Sequence, residues 1–372
     1  MKRNTPNPFE SQSYNHLLMV LLMMLCSFSA GVFAADPFDC GSTGTNGAWN
    51  ITQSTNIALP PDGIFNCTTI NVAAGVTLGF IRNPLNTPVY LLATGDVQID
   101  GTVDVSGSGY LAGPGGFDGG FAGLVYEGYQ RGSDGFGPGG GMGGVPDSRG
   151  LGSFEYGNKL LIPLIGGSGG GGWGTSRGGG GGGAILIASN ARITISGVVQ
   201  SRAGTGAWNG SAGAIRLVAP IVTGNGALSS WDAVNGAGVN IGRIRIDCTD
   251  FLSWRNLSIS GGKPTIGARM IVFPSVIPRL DIVEAAGTSI PEGTSSEVVI
   301  SLPLDSPTNQ VVKVQARNFT NDVPIRVVVT PENAPSVSYD TVISQGSGNP
   351  PSTNVDVILS AGQIYHINTW TR

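Results

Sequence analysis

The stretch Gly178–Gly197, GGGGGGAILIASNARITISG, sets six glycines directly against a row of aliphatic residues. Two readings compete for it. A phosphate-cradling loop has the form G-x-x-x-x-G-K-[ST] and opens a helix. Here no Lys-Ser/Thr pair succeeds the glycines. The next residues alternate instead, with Ile185 and Ile187, then Ile193 and Ile195, at the period of two that marks a strand. The glycines are therefore not a nucleotide site. Glycine reaches backbone angles closed to other residues, and the run suits an excursion that turns sharply or lies flat against its neighbours.

The same unit recurs along the chain. YLLATGDVQIDGTVDVSG (90–107), AILIASNARITISGVVQSRAG (184–204), AIRLVAPIVTGNGAL (214–228) and GRIRIDCTDFLSWRNLSISGG (242–262) each hold an aliphatic strand, a polar corner and a further short strand. TTINVAAGVTLGF (68–80) alternates in the same way. Ile185, Ile215 and Ile244 stand 30 and 29 residues apart. A fixed period of this length is the signature of a solenoid, and short strands with glycine or asparagine corners specify a parallel β-helix. One coil cannot bury its inner face alone, so stacked coils must share a core. The predicted inward positions are Ile185/Ile187, Ile193/Ile195, Ile215/Leu217, Ile244/Ile246 and Leu257/Ile259. No segment carries a helical period.

The repeat is interrupted once at length. Residues 107–183 contain 33 glycines among 77 residues, with nine aromatic residues spread from Tyr110 to Trp173. The composition is that of a flexible linker, yet linkers lack aromatics. The expectation is a partly ordered insertion between two coils, anchored by its aromatics on the solenoid. Near residue 275 glycine becomes sparse. RLDIVEA, EVVISLPL, QVVKVQARN, PIRVVVTPE, SYDTVIS and NVDVILSAGQIYHINTW then read as strands of an immunoglobulin-like β-sandwich. The predicted organisation is all-β: a leader over 1–34, a parallel β-helix over 35–274 with the glycine-rich insertion 107–183, and a β-sandwich over 275–372.

Lys2 and Arg3 precede the apolar HLLMVLLMMLCSFSA, and VFA ends at Ala34. This is the pattern of a cleaved signal peptide. The apolar core is too short for a confident span of roughly 20 residues, so no membrane span is expected after cleavage. Charged residues make up 12% of the chain and the net charge is −4. With no basic cluster, no nucleic-acid partner is expected. The expected destination is extracellular or the outer cell surface, with the periplasm as the alternative. An oxidising destination favours a disulfide, for which Cys40–Cys67 is the candidate pair, with Cys248 buried alone. The mature chain would keep one histidine, His366, so neither a His/Cys metal cluster nor any cofactor is expected, and His366 reads as a surface strand residue.

Candidate chemistry is sparse. Asp96, Asp100 and Asp104 lie four apart along a strand–turn–strand, where carboxylates on one face could bind a cation or flank a glycosidic bond. Gly101 interrupts them, and later repeats carry Ala191, Ser196 and Gln200 nearby, so they are weak catalytic candidates. Trp208, Trp231 and Trp254 are spaced by 23 and 23 and could stack on sugar rings through apolar contact. Arg216, Arg243 and Arg245 recur at outward positions where they could contact anionic glycans, and Arg216 and Arg245 read as cover for a strand's outer face.

The stretches VAAGVTLGF, LLATGDVQIDGTVDVSG, GGGGGGAILIAS and AGAIRLVAP resemble the coils of glycine-rich exported proteins of Gram-negative bacteria, including filamentous haemagglutinin-like adhesins. The resemblance covers roughly 60–262 and its motifs are structural, so it implies no catalytic residue. No translocation domain of the kind many such adhesins use is visible. It implies a secreted or cell-surface structural or adhesion protein without catalytic activity, with surface glycans or envelope components as partners. The alternatives are a carbohydrate-active β-helix enzyme, a lyase or glycosidase, and a glycan-binding module using the Trp series.

Overall fold

A computed structural model describes residues 37–372 apart from 127–128, 145–151, 153–154, 232–240, 263, 295–296 and 333. The predicted leader lies outside the described residues. From Ala48 the chain runs through short strands in threes. The first triplet is β1 (Ala48–Ile51), β2 (Thr55–Ala58) and β3 (Ile64–Cys67); the second is β4 (Thr69–Val72), β5 (Thr77–Ile81) and β6 (Val89–Ala93). The third opens with β7 (Val97–Ile99) and β8 (Thr102–Asp104). It closes with β11 (Ala184–Ser189), after the glycine-rich segment and its small hairpin β9 (Leu124–Tyr126) and β10 (Tyr129–Arg131). Then come β12 (Arg192–Ile195), β13 (Val198–Gln200) and β14 (Ala214–Val218), and after them β15 (Ile221–Thr223), β16 (Ala227–Ser230) and β17 (Arg243–Asp247). A 3-10 turn, Ser253–Asn256, precedes β18 (Ser258–Gly261) and β19 (Thr265–Gly267).

Members of successive triplets pair in parallel and build three sheets. The first has the order β1-β4-β7-β12-β15, the second β2-β5-β8-β13-β16-β18, and the third β3-β6-β11-β14-β17-β19. Ile185 is in register with Ile215, and Ile215 with Ile244. All three share one core with Leu78, Val103, Val199 and Leu228 of the second sheet and Ile70, Val97, Ile193 and Val222 of the first. The predicted inward residues join this core, with Leu257 buried and Ile259 packed against it. Between the first two sheets the chain turns on single glycines. The amides of Gly101, Gly197 and Gly226 donate to Val72 O, Ile99 O and Ile195 O. A Cβ on Gly197 would strike Gly101 O, and one on Gly226 would strike Gly197 O.

The third sheet is buried on both faces. Its outward residues Leu92, Leu186, Ala188 and Val218 form a second cluster with Cys40, Leu161, Leu164 and Val272. This accounts for the near-continuous apolar runs AILIA and AIRLVA, since a strand covered on two sides has no polar face. It also corrects the disulfide expectation. Cys67 belongs to the inner core and Cys40 to the outer cluster, so the sheet stands between them, and Cys40, Cys67 and Cys248 are all free and buried.

From Arg279 the pairing becomes antiparallel. A four-stranded sheet, β21-β20-β22-β25, contains β20 (Arg279–Ala285), β21 (Thr288–Ser289), β22 (Asn309–Arg317) and β25 (Ser352–Ile358). A three-stranded sheet, β24-β23-β26, contains β23 (Val323–Pro331), β24 (Val337–Ile343) and β26 (Tyr365–Thr371). Val312, Val314, Ile325, Val327 and Val357 pack between them. The predicted strand EVVISLPL does not form a ladder. Val299 and Leu304 are exposed there, and Pro303 and Pro307, which have no N–H, bracket the adjoining turn.

Candidate functional site

The step from the second sheet to the third is where the chain makes its longest connections. The described residues of the excursions 82–88, 105–183 and 201–213 occupy this corner. Two of them, 105–183 and 201–213, meet around Gly178–Gly183. Gly178 and Gly181 donate to Gly120 O and Phe117 O, Gly179 and Gly182 to Trp208 O and Ser211 O, and Gly180 and Gly183 to Gly109 O and Val105 O, at 2.7–2.9 Å. The donors thus address three neighbours in rotation with a period of three residues, the period of a polyproline II-type helix. The carbonyls of Gly179, Gly180, Gly181 and Gly182 accept from Gly170, Gly204, Gly113 and Gly167. The six-glycine run is the central rod of a bundle of extended backbones.

None of Gly178–Gly183 has a left-handed φ. Glycine is required here for its missing Cβ and not for its dihedral freedom: a Cβ on Gly178, Gly179 or Gly181 would collide with the carbonyl of Gly170, Gly204 or Gly167. The glycine-rich segment is therefore a packed element among its described residues, more ordered than a linker.

The aromatics anchor it elsewhere than expected. Phe117 meets Trp370 edge-on at 5.2 Å, and Phe121 and Phe136 flank His366 at 5.5 and 5.2 Å. Ser336 N donates to Asp134 Oδ2 at 3.1 Å. These contacts fasten the bundle to the sheet that contains β26, so His366 is a packed ring and not a free surface side chain. On the other side Arg82 forms a two-pronged pair with Asp118 at 2.7 and 3.0 Å.

At one end of the bundle the rods reverse through tight turns. Ser108 and Leu111 exchange backbone hydrogen bonds, as do Trp173 and Ser176. Tyr110, Leu111 and Trp173 are 42%, 46% and 44% exposed on these turns. Arg177 lies over the Tyr110 ring at 4.0 Å and over Phe121 at 4.7 Å, a cation–π stack. Ala207 N donates to Arg177 O at 2.8 Å and brings the turn of the next excursion alongside. The tip can present flat apolar rings and one cation to a ligand.

The sequence candidates fall in separate places. Asp96 is exposed ahead of β7. Asp100 sits in the corner after β7 and accepts from Gln98, and Asp104 in β8 accepts from Gln200 Nε2 and Ser106 N at 2.8 Å. They do not share one sheet face. Among the described residues no group of three or more His, Cys, Asp or Glu could hold a metal ion. Trp208 is half-buried in the bundle, Trp254 sits in the 3-10 turn against the core, and Trp231 is exposed after β16. No two of these indoles are in ring contact among the described residues. Tyr110 and Trp173, expected as anchors of the insertion, are exposed at the tip instead, and Arg177 beside them carried no expectation. Their available signal was an aromatic or a cation set between glycines, as in GSGY and GWGTSRG.

A second cluster lies on the outer face of the third sheet. Arg216, 1% exposed, donates to Asp247 Oδ2 at 3.0 Å and to the carbonyls of Ile271 and Arg269 at 2.8 and 3.3 Å. Arg245 Nε and Arg269 N donate to Asp247 Oδ1, both at 3.0 Å. Burial works against the charge of Arg216, and the hydrogen bonds to Asp247 oppose it. Burial also raises the Tyr90 phenol above its ordinary value, with Arg216 acting in the other direction. Arg216 and Arg245 do point outward, as expected, but the segment 268–274 covers them.

No protein-family model, curated protein or solved structure matches this chain. Among the described residues no helix is long and apolar enough to cross a membrane.

Proposed function

We propose that the chain is an exported cell-surface protein that acts by adhesion and not by catalysis. In this reading the three parallel sheets are a parallel β-helix, the antiparallel part is an immunoglobulin-like sandwich, and residues 1–34 are a leader removed on export. The β-helix is the scaffold, and its glycine bundle carries the binding surface.

The observation that carries the reading is the exposure of Tyr110, Leu111 and Trp173 on adjoining turns at one bundle tip. Exposed apolar side chains grouped on a rigid element mark interaction surfaces. A core of bare backbone holds the turns at fixed separation, so the rings need not be ordered when a partner arrives. Rings flanked by a cation suit the apolar faces of sugars, so surface glycans of an envelope are the proposed partner.

The test is binding of the fluorescently labelled chain to whole bacteria and to purified envelope glycans. The double variant Tyr110→Ala, Trp173→Ala should melt like the parent and lose binding at least tenfold. Equal binding by parent and variant, or no binding by the parent to any cell or glycan, would overturn the proposal.

A further inference from the structure

Arg216 is held only on one side. Its Nε and Nη2 are engaged by Asp247, Arg269 and Ile271, while Nη1 has no hydrogen-bond partner among the described residues. Asp247 is fully buried and is shared with Arg245, so one carboxylate faces two largely buried guanidinium groups. A buried cluster with an excess of one positive charge is costly unless a further anion joins it.

The space beside Arg216 can admit one. A narrow cleft of about 50 Å³ is lined by Arg216 together with Tyr90, Leu164, Leu186, Val272 and Phe273. Its interior has room for a few water-sized groups, and so for a carboxylate. Its rim is apolar and accessible, since Ile277, which also lines it, and Val276 beside it in the chain are both exposed. The Tyr90 and Phe273 rings stand 5.2 Å apart along the wall. An uncompensated cation at an apolar cleft with an apolar mouth is complementary to a molecule with one negative charge and a hydrocarbon body.

We propose that this cleft binds a small amphiphilic monoanion, its carboxylate reaching in to Arg216 and its hydrocarbon part lying along the exposed rim at Phe273 and Ile277. The site lies on the outer face of the third sheet, and its ligand is independent of whatever the bundle tip binds.

The purified chain is titrated calorimetrically with octanoate and with octanol, which share a hydrocarbon chain but differ in charge. Saturable binding of one octanoate is expected, with octanol at least tenfold weaker. Arg216→Met should weaken octanoate at least tenfold. Because that variant disturbs a buried network, Ile277→Glu provides the second arm: a carboxylate at the exposed rim should repel the anion at least tenfold while leaving the melting temperature unchanged. The tip variant Tyr110→Ala, Trp173→Ala should bind octanoate like the parent, which separates failure here from failure at the tip. Octanol binding as tightly as octanoate, no saturable octanoate binding, or undiminished affinity in folded Ile277→Glu would overturn the proposal.

Discussion

The amide of Gly179 donates to the carbonyl of Trp208 across 2.7 Å, joining two excursions that leave different strand triplets at the same corner. Three residues further on, Gly182 repeats the contact at Ser211. Such pairing needs each backbone to lie where a neighbour's side chain would otherwise stand. The bundle should therefore respond to the smallest possible side chain.

Gly181→Ala places a methyl group against Gly167 O, and backbone on both sides cannot yield as a flexible side chain would. The expected loss is about 1–3 kcal/mol, the range for overpacking. Gly346→Ala meets nothing within 4 Å and should lie within about 0.5 kcal/mol of the parent. Urea denaturation of the two variants checks this, and coincident curves would count against a packed bundle.

Asp247→Asn removes the one carboxylate between Arg216 and Arg245 and leaves two guanidinium groups without it. Breaking a buried pair in this way costs about 3–5 kcal/mol. Asp340→Asn acts on a more exposed pair with Arg326 and Arg372 and should cost at most about 1 kcal/mol. Comparing the two melting curves tests whether burial sets the difference.

Burial pushes the thiols of Cys40 and Cys248 up and that of Cys67 up to about 12. A folded-state value above the unfolded one means that stability is intact below about pH 8.5, the free thiol value. It is then lost as pH rises toward 12. At pH 8 a disulfide-exchanging thiol reagent should leave the native protein unmodified and should label Cys40, Cys67 and Cys248 after denaturation without reductant. Recovery of two fewer thiols would restore the Cys40–Cys67 bridge.

Glu292 is held down to about 2, first by the hydrogen bonds from Arg317 and then by the charges of Arg317 and Arg279. Its folded-state value lies below that of a free glutamate, about 4.3. The contribution is therefore present above that pH and lost as pH falls toward 2. The melting temperature of Glu292→Gln should fall less steeply than that of the parent between pH 5 and pH 2. Parallel slopes would show that the cluster is screened to no effect.

The repeating strands were legible because their signal is local. Alternation at Ile185/Ile187, the corner glycines and the 29–30-residue spacing each depend on a few consecutive residues, and the observed registers of Ile185, Ile215 and Ile244 match that spacing. EVVISLPL has an apolar composition but no partner strand, and composition alone could not reveal this.

Residues 178–183 announced glycine but not its purpose. The identity of the run excluded a phosphate loop and required a backbone without side chains. Which backbones would surround it depended on Gly120, Trp208 and Gly109, each brought there by a different turn of the chain. The same holds for Arg216 against Asp247, for Phe121 against His366, and for the sheet that separates Cys40 from Cys67. Local order is set by neighbouring residues, whose sterics and alternation the sequence states directly. Contacts between distant segments form only when the whole core closes, and they took their geometry from that closure.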